Sequence, residues 1–113
     1  MQAVVIVGDH FYGDLDAAIT AAKQLAAAGT RIFLFQQGNS DSTERSFRLL
    51  AETTGGAYFP LNPHVERVAE RLPGLLEAVI HFTLGGMPAL EARGDEAASL
   101  LLEQMNTPNQ IAR

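Results

Sequence analysis

The sequence predicts an α/β domain, a small parallel sheet flanked by helices, and three observations predict it. The chain opens on an unbroken apolar run, Ala3-Val4-Val5-Ile6-Val7, the pattern of a strand buried in a parallel sheet. Next come Leu15, Ala18, Ile19, Ala22, Leu25 and Ala26 at spacings of three and four, the stripe of one helix face. This alternation then repeats as strand, helix, strand, helix. Such an order implies right-handed crossovers, a parallel sheet and helices on both of its faces.

Each element has its own local signals. The first strand ends at Gly8-Asp9, and Gly13 or Asp14 starts a helix over Asp14 to Ala28 that Gly29 ends, acids in the first turn suiting the helix dipole. Arg31-Ile32-Phe33-Leu34-Phe35-Gln36 is rich in β-formers and reads as the second strand. Gly38-Asn39-Ser40 makes a turn, and Asp41 with Glu44 resembles a capping box that opens a helix burying Phe47, Leu50 and Ala51. Gly55-Gly56 ends that helix, and Ala57-Tyr58-Phe59, closed by Pro60, is a short third strand. Asn62-Pro63 has the cap-then-proline order of a helix start, with Val65, Val68, Ala69 and Leu72 on the inner face.

Pro73-Gly74 is expected to break or bend that helix, leaving a further one from Gly74 to Thr83 with Leu75, Leu76, Val79, Ile80 and Phe82. Gly85-Gly86 reads as a hinge. Pro88 to Ala92 and Asp95 to Met105 read as helical, with Gly94 a weak point between them. The polar tail from Asn106, which holds Pro108, is expected to fray. The parts divide as an α/β region, 1–84, and a C-terminal helical extension, 85–113.

Composition bounds the function. At 113 residues, 47% hydrophobic and 19% charged, the chain has the make-up of a folded globular domain. No apolar run approaches the ~20 residues of a membrane span, and the start lacks the basic residue of a signal peptide, so a cytoplasmic protein is expected. Without cysteine there is no disulfide, thiolate metal site or cysteine nucleophile. A net charge of -5 and one lysine, Lys23, leave no basic stripe for nucleic acid.

The motifs narrow it further. No serine sits in a Gly-x-Ser-x-Gly elbow, and neither glycine-rich phosphate loop occurs. His10, His64 and His81 have no metal-ligand spacing; His64 reads as exposed at a helix start and His81 as a packing residue. Asp9 stands where ligands of open α/β sheets collect. It could bind a hard cation, with His10, Asp14 and Asp16 within reach along the chain, or cap the loop that follows. Asp14 and Asp16 are explained as well by a helix start. Phe11 and Tyr12 suit an interface or burial under the last helices.

The strand Val4 to Val7 ending in Gly8-Asp9, the helix Leu15 to Ala28, the run Arg31 to Phe35, and Phe47-Arg48-Leu49-Leu50-Ala51-Glu52-Thr53-Thr54-Gly55-Gly56-Ala57-Tyr58-Phe59 resemble the second half of a von Willebrand factor A (VWA) domain. The similarity covers Ala3 to Phe82, and Thr54-Gly55-Gly56-Ala57-Tyr58-Phe59 is its most specific part. It implies a VWA/Rossmann-like three-layer fold and places Asp9 at the acid that helps hold a divalent cation, usually Mg²⁺, in that family. The chain departs from the family in lacking Asp-x-Ser-x-Ser; Asp41-Ser42-Thr43-Glu44-Arg45 is the nearest imitation, and His10 stands where glycine is usual. The resemblance also implies a further strand beside Ala3 to Val7 that this chain does not contain, so that the chain corresponds to a C-terminal half.

The expected function is therefore a non-catalytic VWA-like protein-binding or assembly module with an incomplete metal site, Asp9 being its one metal position. An uncovered Val/Ile strand edge invites pairing, so a homodimer through or near this strand is expected. The partner surface is expected at Asp9, His10, Phe11, Tyr12, Gln37 and Asn39. The alternative is a small divalent-cation-dependent enzyme or sensor using Asp9 and His10, with Asp14 as a further ligand.

Overall fold

The structure is a computed structural model that describes residues 2–11, 13–61 and 68–111, with side chains over 72–105 of the last stretch. The helix start at Asn62-Pro63, His64, Val65 and Tyr12 lie outside the described residues, as do the side chains of Val68 and Ala69. The chain runs β1 (Gln2–Gly8), α1 (Leu15–Ala27), β2 (Thr30–Gln36), α2 (Asp41–Thr54), β3 (Ala57–Pro60), α3 (Val68–Arg93) and α4 (Glu96–Ile111). The three strands form one parallel sheet in the order β1-β2-β3. Among the described residues no helix is long and apolar enough to cross a membrane.

Strand alternation divides β2 between two apolar clusters. On one face Ile32 and Leu34 join Ala22 of α1, Phe47, Leu50 and Ala51 of α2, and Tyr58. On the other, Phe33 and Phe35 join Leu75, Ala78, Val79, Phe82 and Leu90 of α3 and Ala98, Leu101 and Met105 of α4. The result is three layers, α1 and α2 below the sheet, α3 and α4 above. The last two helices thus share the core above the sheet with β2 and β3. Phe33 meets Phe82 edge-on with centroids 6.1 Å apart, and Phe35 stacks on Phe59 at 5.6 Å.

The caps follow local chemistry. Asp14 caps α1, its carboxylate accepting from Asp16 N–H at 2.9 Å. At α2 the cap is Ser40, one residue before the expected Asp41: Ser40 is extended and its hydroxyl accepts from Thr43 N–H, whereas Asp41 is already helical. Asp41 and Glu44 then lie in the first turn, where the dipole favours them. At the other end of the molecule Arg93 donates to Asp95 and Glu77, and Asp95 accepts from Ala98 N–H. The Arg93 hydrogen bond first, then that of Ala98, holds the Asp95 carboxyl below its ordinary range.

Two expectations about the last helices change. Pro73 does not interrupt α3; the chain leaves helical geometry only at the expected Gly85-Gly86 hinge, at Gly86, with φ 72° and ψ -161°, values open to glycine alone. Pro73 is exposed, and the burial of Leu75, Ala78, Val79 and Phe82 just beyond it offsets the lost backbone bond. Nor does α4 stop at Met105. Ala98, Leu101 and Met105 anchor it in the core, and extension to Ile111 adds one bond per residue to a helix already nucleated.

The passage from α2 to β3 is the tightest point of the fold. Gly55 takes the left-handed conformation (φ 70°), and Gly56 N–H reaches back to Ala51 O at 2.9 Å, a helix-ending arrangement that glycine favours. A Cβ on Gly56 would lie 1.8 Å from Ile32 O. Thr54 Oγ1 accepts from Ile32 N–H at 2.9 Å and donates to Leu50 O, satisfying the backbone of β2 where β3 has not yet begun. Arg31 donates to Gly55 O at 2.5 Å and lies over the Phe82 ring at 5.5 Å; burial lowers its pKa from the ordinary arginine value.

Two glycine substitutions separate these effects. Gly55→Ala is expected to cost about 1–2 kcal/mol, the strain of a left-handed alanine. Gly56→Ala is expected to cost about 3 kcal/mol or more, because the obstacle is backbone and cannot move aside. Urea denaturation midpoints check the order, and equal losses would show that the Ile32 contact does not matter.

Candidate functional site

The carboxyl ends of the strands form an open polar rim. Parallel pairing brings Gly8 beside Gln36, and Gln37 N–H continues the ladder to Gly8 O at 2.8 Å, so the residues after β1 and β2 emerge together. Asp9, His10, Gln37 and Asn39 are all exposed there. Asp9 Oδ1 and His10 Nδ1 are 3.5 Å apart, both side chains more than half exposed, a pair worth little in stability. Asp14 is held by its cap to Asp16 N–H. Phe11 turns inward: it is half-buried against the cluster below the sheet, and its N–H donates to Thr43 Oγ1 at 3.2 Å.

For the divalent cation that the resemblance implies, this rim supplies Asp9 with His10 beside it. Among the described residues no three His, Asp or Glu side chains converge. That donor set falls short of the oxygen cage a hard cation takes. His81 is exposed on α3 with its Nδ1 3.2 Å from an Arg93 nitrogen, the imidazole accepting from the guanidinium.

Behind the rim lies a buried polar network that the sequence did not single out. Gln36 is 1% exposed; its Oε1 accepts from Tyr58 Oη at 2.6 Å and its Nε2 donates to Ser40 O at 3.0 Å. Burial, then Glu44, raises the Tyr58 pKa, while Arg48, its guanidinium 4.5 Å from the ring centroid, acts against them. The one sequence signal was a polar residue closing the apolar run of β2.

The two edges of the sheet differ. At β3, Gln104 of α4 acts as a substitute strand: its Oε1 accepts from Tyr58 N–H at 2.7 Å and its Nε2 donates to Tyr58 O at 2.6 Å. At β1 no strand lies outside among the described residues. Because Gly8 O faces β2, alternation turns the backbone groups of Gln2, Val4 and Ile6 the same way and those of Ala3, Val5 and Val7 outward. The side chains of Val4, Val5 and Val7 are 37%, 40% and 48% exposed. Gln2, Ala3 and Val4 also line, with Leu25, Thr30 and Thr83, a shallow open cleft of about 370 Å³.

No family model, curated protein or solved structure matches this chain. The candidate site therefore stands on geometry: an open apolar strand edge with a polar rim at its carboxyl end.

Tyr58→Phe tests the network beneath the rim. It is expected to lower stability by about 1–2 kcal/mol, since Gln36 loses a buried partner. With the folded pKa raised, the phenol's contribution is fully present below pH 10.0, the ordinary tyrosine value, and is lost as pH rises through the folded pKa. Denaturation from pH 8 to 11.5 should show a steeper alkaline decline in the wild type than in Tyr58→Phe; parallel declines would remove Tyr58 as the titrating group.

Proposed function

We propose that this chain is a non-catalytic, VWA-like assembly module that self-associates as a homodimer through the outer edge of β1. The observation that carries the proposal is the contrast between the edges: Gln104 closes β3, while β1 presents outward backbone groups beneath three exposed valines. Soluble proteins blunt such edges with charge, proline or a bulge. Gln2–Gly8 carries none of these: its sequence is QAVVIVG, and it keeps an unbroken register with β2.

The rim of Asp9, His10, Gln37 and Asn39 continues this surface at the carboxyl end of the strand and offers polar contacts around an apolar centre, the usual anatomy of an interface. The proposal needs no nucleophile, no cofactor and no bound cation.

Light scattering coupled to size exclusion is expected to give a mass near twice the 12.2 kDa chain at micromolar concentration. Val5→Lys places a charge on the outer edge and is expected to weaken dimerisation at least tenfold while leaving the far-UV circular dichroism unchanged. Asp9→Ala, at the rim, is expected to change it less than threefold. A monomeric wild type at all concentrations would overturn the proposal.

A further inference from the structure

Resting on that reading, we infer that the two copies join antiparallel about a two-fold axis through Val5, making one continuous sheet in the order β3-β2-β1-β1-β2-β3. Outward groups lie on Ala3, Val5 and Val7 only, symmetrically about Val5. In an antiparallel pair, residues directly opposite exchange both N–H···O=C bonds at every second position. With Val5 opposite Val5, Ala3 of each copy stands opposite Val7 of the other, and every outward group on the three residues has a partner. Centring on Val4 or Ile6 shortens the overlap of the seven-residue strand and leaves some of these groups unmet.

The side chains agree with that register. Opposed residues share a face, so Val5 meets Val5 and Ala3 meets Val7 above the sheet, while Val4 meets Ile6 below it. The strand has no charged residue, so two copies of a chain of net charge -5 meet at this edge without like-charge repulsion. An axis perpendicular to the sheet also sets both α3 helices on the same face. Thr83 of α3 borders Ala3 and Val4, and Ile80 and Leu84, 55% and 81% exposed, sit one turn before it and next to it on the helix. The exposed parts of Val4, Val5 and Val7 with those of Ile80 and Leu84 add up to roughly a few hundred Å² of apolar surface per copy, the scale at which such surface marks an interface, and two copies together approach the ~1,000 Å² of a stable dimer.

The second copy is the occupant that closes the structure. Among the described residues, with β3 capped by Gln104, the sheet has one open edge, and an isologous contact consumes it on both copies. The assembly ends at two.

The chain has no cysteine, so single substitutions report the register directly. Opposed residues in an antiparallel pair have Cα atoms about 4.5–5.5 Å apart, within disulfide reach. Under a glutathione redox buffer, Val5→Cys is expected to cross-link at least tenfold faster than Val4→Cys alone. A mixture of Val4→Cys and Ile6→Cys chains is expected to cross-link as a heterodimer. Gln104→Ala, which reopens β3, is expected to yield species larger than two. If scattering shows a dimer but Val4→Cys or Ile6→Cys alone links faster than Val5→Cys, the register is overturned and self-association stands. A wild type that never dimerises overturns both.

Discussion

The contact between Gly56 and the backbone of Ile32 is the constraint on which the rest of the fold depends. A parallel sheet needs its chain returned to the starting end after every strand, and here α2 must hand over to β3 within two residues. Gly55 reverses the chain by its left-handed geometry, Gly56 lets the turn lie against β2 with no room for a side chain, and Thr54 fills the vacant hydrogen-bond position on Ile32. Only then do Tyr58 and Phe59 enter opposite faces of the sheet, one beside Phe47 and Leu50, the other against Phe35. Both halves of the core follow from one tight turn.

The same economy shapes the edges. Among the described residues the sheet has one interior strand, β2, buried along almost its whole length, and two borders. The protein treats its borders unequally. One is satisfied by a side chain from a distant helix; the other lies beside α3, which covers Ala3 in part and leaves Val5 and Val7 partly bare. The surface at which we propose self-association is thus made of backbone groups and apolar area, with the polar rim beside it.

Much of the fold was legible because it is written in local signals. Apolar runs of three to five residues mark the strands, the stripe from Leu15 to Ala26 marks α1, and Thr54-Gly55-Gly56 announces a turn whose every residue has a stereochemical duty. The misjudged points were those where distant packing overrides a local signal: Pro73 stays inside α3 because Leu75 and Phe82 are buried beyond it, and Ser40 displaces Asp41 as a cap through the backbone angle of a single residue. The candidate site was half legible. Asp9 and His10 stand at a strand end as their position implied, whereas Phe11 turned inward toward Thr43 and α1. Nothing local could have revealed Gln104, whose partner is 46 residues away, or Gln36, which looks like any polar residue after a strand until Tyr58 is brought against it.

That separation between Gln104 and Tyr58 has a consequence for how the protein is made. Sheet and first two helices are contained in the first 60 residues, yet the border at β3 stays raw until α4 has been synthesised and docked. During that interval both sides of the sheet are adhesive, and chains emerging side by side on one message can stitch together in the wrong order, since contacts distant in sequence form late. The last helix therefore seals, through its glutamine, a border of the sheet that the first 60 residues leave raw.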